Sequence, residues 1–315
     1  MLPRTIPPQQ FAPKSPMPAL RHLLGLALLP LIAASCGTSV QMDVGPEGVS
    51  QTSTKQALLP QAPPQLDAKL FQRIAILGSS ASDGFNLQLE TGAPTRLADY
   101  FKAGLLVDHQ LAYDGASSAT FMNPEKIAGR GAAKALEADP TLLVAVDFLF
   151  WFFYGSGGPG NTVEFRRERL EAGLALLDGF QCPVLVGDLP KMSGAAGGMI
   201  PMASMPPSDS FNAANERIYA WAQAKPNVTL VPLDAFNESA ATGQPFLVGG
   251  VTWDPAVSGG VLQLDQLHPN LAGTALLALQ SLLSLADARG ASLDGIMMTN
   301  PEQLVDAVDD LISER

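Results

Sequence analysis

The sequence predicts an α/β domain built on a parallel sheet with helices on both faces, and two patterns lead there. Strand candidates rich in apolar residues stand at 73–78, 108–113, 142–148, 183–187 and 228–232. Helical stretches lie between them near 95–105, 125–137, 163–179 and 211–224, with a last long one at 270–287. Strands separated by helices can pair in parallel, and a parallel sheet needs cover on both faces. With 315 residues, 47% of them apolar, the chain can bury a sizeable core.

The amino-terminal residues follow a different pattern. Residues 1–35 carry Arg4, Lys14 and Arg21 but no acid, and an apolar stretch runs from Leu23 to Ala34. That stretch is short for a membrane span and suits the h-region of a secretory signal, which Met17 to Ser35 alone would complete. Ala33-Ala34-Ser35-Cys36-Gly37 resembles a bacterial lipobox, in which Cys36 is lipid-modified and begins the mature chain. Ordinary signal cleavage nearby is the alternative, because Ala33 stands where a branched aliphatic residue is usual. Either way the chain is expected to be exported to a bacterial cell envelope, periplasmic or lipid-anchored to the outer membrane. Residues 36–68, rich in Gly, Ser, Thr, Gln and Pro, read as a flexible linker. The domain is expected over 69–288, with a helical extension over 289–315.

Removing residues 1–35 takes away three of the 19 Lys and Arg and none of the 30 acids, so the net charge moves from −11 to −14. An acidic chain without a basic run has no electrostatic footprint for nucleic acid. Anionic membrane surfaces would repel it, which leaves a lipid on Cys36 as the tether. After cleavage the other cysteine is Cys182, which precedes Pro183-Val184-Leu185-Val186 and reads as a small core residue. No protein partner is legible.

Two segments carry the chemistry. Ile74-Ala75-Ile76-Leu77 reads as a buried strand, and Gly78-Ser79-Ser80-Ala81-Ser82-Asp83-Gly84 follows it with a turn and a serine cluster. In an open parallel sheet, ligands bind beyond the carboxyl ends of the strands, so this turn is a favoured place for a nucleophile. A serine hydroxyl needs a base, and the mature chain holds two histidines, His109 and His268. His268 has Asp265 three positions upstream, able to fix its tautomer and stabilise the imidazolium. His109, in Val107-Asp108-His109-Gln110 at a strand edge, suits a solvated structural role.

These residues resemble the SGNH or GDSL hydrolases. The first block of that family matches Gly78-Ser79-Ser80 through Gly84, with Ser79 where the family has Asp and Ser80 at the nucleophile. Its last block, Asp-x-x-His-Pro, matches Asp265, His268 and Pro269, and the likeness spans 73 to 287. The resemblance implies a flavodoxin-like three-layer α/β/α sandwich with about five parallel strands. It also implies a Ser80–His268–Asp265 triad, no metal or organic cofactor, and a small-molecule, lipid or carbohydrate ester as substrate.

The middle blocks depart from the family. In Gly115-Ala116-Ser117-Ser118-Ala119-Thr120, Ser118 stands at the oxyanion-hole glycine, so the backbone N–H groups of Ser80 and Ser118 are the expected donors. The family's oxyanion-hole asparagine falls near Leu149, which cannot donate, and Asn123 is a candidate replacement. Asp147 and Asp188, each at the end of an apolar strand, suit either structural pairing or the cleft. Trp151 to Tyr154 suit the core or the wall of an acyl or sugar pocket. Residues 192–209 carry Met192, Met199, Met202 and Met205 and are expected to form a lid. The tail should form a helix after Asn300-Pro301, its apolar face of Leu304, Val305, Val308, Leu311 and Ile312 packed back on the domain, with a docking surface for a partner as the alternative. Three functions fit these residues: an exported serine esterase, a catalytically weak or inactive envelope binding protein on the same scaffold, and a carbohydrate O-acetyl esterase or transferase.

Overall fold

The computed structural model of the chain describes residues 62–155, 162–248, 251–254 and 260–315. The leader, Cys36 and most of the linker lie outside the described residues. The elements run β1 (Ile74–Ile76), α1 (Gln88–Thr91), α2 (Leu97–Gly104), β2 (Leu111–Asp114), α3 (Pro124–Glu137), β3 (Leu142–Ala145) and α4 (Phe150–Tyr154). Then follow α5 (Val163–Leu177), β4 (Val184–Gly187), α6 (Ser208–Gln223), β5 (Val228–Val231), α7 (Leu233–Thr242), β6 (Phe246–Val248), β7 (Val251–Trp253), α8 (Leu271–Ala288) and α9 (Pro301–Ser313).

β1 to β5 form one sheet in the order β2-β1-β3-β4-β5, with every neighbouring pair parallel. This is the strand order of a flavodoxin-like, doubly wound sheet. The alternation along each strand sorts side chains to two cores. Ile74, Ile76, Leu142, Val144 and Leu185 pack with residues of α2, α8 and α9 on one face. Ala75, Leu77, Leu143, Ala145, Val184 and Val186 pack with α3, α5 and α6 on the other. The result is a three-layer α/β/α sandwich.

Each of the five expected strands is present, as is each long helix. Helix starts follow their caps: Asn123 accepts from Lys126 N–H, Thr162 from Phe165 N–H, Asn270 from Gly273 N–H and Asn300 from Gln303 N–H. α8 is long and apolar enough to cross a membrane, yet it is mostly buried inside the fold as a core helix. Beyond the sequence reading stand α7 and the antiparallel β6–β7 hairpin, where only Leu233 and Phe236 anchor a short apolar face of α7. α9 seals the domain with Leu304, Val308 and Ile312 buried against the first core. The end of the linker joins the domain as well, because Leu66 is buried and its N–H donates to Ser292 O, while Ser292 N–H donates to Pro64 O. Cys182 is a partly buried free thiol, pushed by burial up to about 11.

Candidate active site

Strand order reverses beside β1, which pairs with β2 on one side and β3 on the other. The chain leaves β1 through Leu77-Gly78 into the 79–82 turn and leaves β3 through Val146 into Asp147. The Asp147 carboxylate organises the turn. Its Oδ1 accepts from Ser79 N–H (3.0 Å) and Ser82 Oγ (2.6 Å). Its Oδ2 accepts from Ser79 Oγ (2.8 Å), Ala81 N–H (2.9 Å) and Ser82 N–H (3.1 Å). A carboxylate only 7% exposed thus receives five donors in place of a counter-ion. The glycine at 78 is required by this arrangement, since a Cβ there would collide with Asp147 Oδ1 and Ser82 Oγ.

Ser80 sits at the centre of the turn, 8% exposed, and its own N–H and hydroxyl make no hydrogen bond among the described residues. It lines a cavity of about 70 Å³ together with His268. His268 is held from three sides. Its Nδ1 is 2.7 Å from Asp265 Oδ2, and its backbone N–H, like that of Leu267, donates to Asp265 Oδ1 at 3.0 Å. Phe85, from the chain just beyond the serine turn, stacks on the imidazole at 4.3 Å between ring centroids. Gln263 ties the two segments together, donating from Nε2 to Phe85 O (2.7 Å) and Pro269 O (2.9 Å). Gln266 takes a left-handed φ of 56°, which closes the tight turn between Asp265 and His268. Asn270, next after Pro269, caps α8 and so fixes where the turn ends.

Burial pushes the Asp265 carboxyl up. The hydrogen bonds from the His268 ring and from the His268 and Leu267 N–H groups outweigh it and hold the group below the ordinary carboxylate range. The His268 Nε2 is buried and has no hydrogen-bond partner among the described residues. The geometry can therefore fix an imidazole through Nδ1 and leave Nε2 to serve a group in the cavity.

Several expected site residues lie elsewhere. The Ser118 N–H is committed, donating to Asp83 Oδ2 at 2.7 Å, with Ser118 Oγ on the same oxygen at 2.7 Å. Arg96 fixes Asp83 in that place through Nη2 at 3.1 Å and reaches Asp114 with Nη1 at 3.3 Å. The neighbouring N–H groups are also taken, Ala116 by Asp114 Oδ1 and Ser117 by Gly78 O. The Ser118 N–H is thus engaged in this arrangement, whereas the Ser80 N–H is not. Asn123 is exposed and caps α3, so it does not replace the family's asparagine. Trp151 packs among Phe121 and Phe150 and does not line the cavity, which takes its aromatic walls from Phe150 and Phe236 instead. Asp188 accepts from Asp234 N–H at the start of α7 and from Tyr219 O–H, each at 2.8 Å, and burial pushes its carboxyl up. It braces α6 and α7 against β4 and does not line the Ser80 cavity.

Of the four methionines, Met192 is buried and lines the cavity, while Met199 and Met202 face solvent. The segment is pinned: Tyr154 O–H donates to Pro190 O, Met192 N–H donates to Tyr154 Oη, and the buried Arg166 donates to Ser204 O. Both ends of the segment are thus tied to the domain, and Met192 is the one of its four methionines on the cavity wall. Phe85, Phe236, Asn237 and Gln263 had no sequence signal, since each reaches the site from a segment without a motif. His109 keeps a local contact, its Nδ1 2.8 Å from Val107 O. Among the described residues, no three of His, Cys, Asp and Glu gather as a metal site.

The fold is similar to that in the crystal structure of TesA, at 20% identity and a TM-score of 0.39, over 69% of this chain and 99% of that one. It is also similar to BT4096, a gut microbial diltiazem-metabolizing enzyme, at 11% identity and a TM-score of 0.42, over 72% of this chain and 48% of that one. The match thus spans about half the length of the second protein. No family model and no curated protein matches the chain.

Proposed function

We propose that this chain is a serine hydrolase of the SGNH or GDSL type that cleaves carboxylic esters. The observation that carries the reading is the shared cavity: an unengaged Ser80 hydroxyl and an unpartnered His268 Nε2 line it together, with Asp265 on the far nitrogen of the ring. In the proposed reaction, Ser80 Oγ attacks the ester carbonyl as its proton passes to His268 Nε2. The tetrahedral intermediate collapses, and the alcohol leaves with that proton. Water then attacks the acyl-serine, giving its proton to Nε2, and collapse returns the proton to Ser80 Oγ and releases the carboxylic acid. Asp265 keeps the proton on Nδ1 and stabilises the imidazolium. The Ser80 N–H is the donor for the oxyanion.

A fluorophosphonate should label the folded protein at Ser80, and Ser80→Ala should remove both labelling and ester turnover, the latter by about a thousandfold or more. Equal labelling of the alanine variant would sink the reading. A second reading, a weakly active or inactive envelope binding protein, is favoured by one observation: the Ser118 N–H expected to donate to the oxyanion is occupied. Losing one oxyanion donor costs about 3 kcal/mol in other hydrolases. Ligand retention that survives Ser80→Ala, with no hydrolysis by the wild type, would select it.

The leader pattern and Cys36 support export with a lipid anchor. On that reading Cys36→Ser should move the chain from the membrane fraction to the soluble one, and unchanged membrane retention would overturn the anchor.

A further inference from the structure

The cavity beside Ser80 and His268 is small, about 70 Å³, and its lining is mainly apolar, with Phe150, Met192, Leu233, Phe236, Leu267 and Leu277 among its walls. An apolar protein cavity of about 150 Å³ takes one benzene ring, so half that space takes a chain of about two to four carbons. A second cavity of about 690 Å³ is lined by Trp253, Leu276 and, again, Phe236, with the acids Glu90, Glu302 and Asp306 also on its walls. Phe236, on α7 and 7% exposed, is the residue common to both linings. It borders both the small space at the nucleophile and a space about ten times larger.

The chemistry says which part of an ester the small space suits. The acyl group stays bonded to Ser80 while the alcohol leaves and water takes its place, so a confined apolar pocket fits the acyl side, and the alcohol needs the open side. We infer that the cavity is an acyl pocket limited to short chains, of about two to four carbons, and that Phe236 is the specificity-determining wall that sets the limit. The inference rests on the serine-hydrolase reading and adds the substrate class to it. A hydrophobic pocket discriminates by about tenfold or more against a chain it cannot seat, so the limit should show in kcat/KM.

The test uses the full chain, its Ser80→Ala form as background, and p-nitrophenyl acetate, butyrate and octanoate. For the wild type, kcat/KM should fall by about tenfold or more from butyrate to octanoate. With methyl, butyl and octyl acetates it should vary by less than about threefold. In Phe236→Ala the ratio of octanoate to butyrate should rise by about tenfold, because the larger cavity then continues the pocket. Phe236→Leu, which keeps an apolar side chain on α7, should shift the ratio the same way by less, and it stands in if the alanine variant melts below the assay temperature. A wild type indifferent to acyl length, a limit on the alcohol side, or an unchanged ratio in both variants would overturn the acyl pocket while leaving the hydrolase intact. No Ser80-dependent turnover of any ester is a different outcome, and it would remove the hydrolase reading together with the pocket.

Discussion

Asp147 and Asp265 both serve the Ser80 cavity, but they are built to different ends. Asp147 follows β3, is nearly buried, and spends both oxygens on the turn that carries Ser80. Asp265 sits in an irregular turn and divides its oxygens, Oδ1 on two backbone N–H groups and Oδ2 on the His268 ring. The first carboxylate holds a backbone in shape; the second holds a side chain in place and, on the proposed mechanism, in one tautomer. Removing the first should therefore be felt as a loss of structure, and removing the second as a loss of rate.

The rate effect is the larger. Asp265→Asn can still accept the two backbone N–H groups through its amide oxygen, but it faces Nδ1 with a neutral group that cannot stabilise the imidazolium. On the proposed mechanism kcat should fall by about 10³–10⁴, the size of the matching change in a serine protease triad, with the melting temperature lowered by only a few degrees. Near-normal kcat in a folded Asp265→Asn protein would break the comparison. Its pH dependence sharpens it. Because the folded structure holds the Asp265 carboxyl below the ordinary range, its share of stability is present above the unfolded value of about 4 and is lost as pH falls through the lower folded value. The stability gap between wild type and Asp265→Asn should therefore narrow below about pH 4, which melting curves in acidic buffers can check.

The sequence made one of these carboxylates easy to read and the other hard, for a physical reason. Asp265 and His268 lie three residues apart, so their contact is local and their spacing alone announces it. Asp147 reaches Ser79 across 68 positions and is signalled only as an acid at the end of an apolar strand. The central strands β1, β3 and β4 were legible because they are short apolar runs buried on both faces, whereas α7 has only Leu233 and Phe236 as large buried apolar side chains. The expected oxyanion donor at Ser118 failed through a tertiary contact that no local pattern encodes, the Asp83 carboxylate fixed by Arg96. Phe85 on the His268 ring and Phe236 bordering two cavities belong with it: both are ordinary core-type residues until the fold sets them beside something reactive.

Asp147 gives the sharper test of the structural half. Asp147→Ala would leave the Ser79, Ala81 and Ser82 N–H groups and two hydroxyls without their acceptor in a nearly closed site. Each stranded donor costs about 1–3 kcal/mol, and water entering the vacated space recovers part of it, so a net loss of about 3–5 kcal/mol is expected. For a domain of this size that is a fall in melting temperature of roughly 10 °C or more. Asp147→Asn keeps one acceptor oxygen but points an amide N–H₂ at donors on the other side, so it should lie between alanine and wild type. Activity should fall in both because Ser80 loses its fixed turn, and ligation of a fluorophosphonate should slow in the same order as the melting temperatures. If instead Asp147→Asn melts like the wild type while its labelling rate collapses, Asp147 acts on the chemistry directly, and the division between a carboxylate for shape and a carboxylate for rate fails.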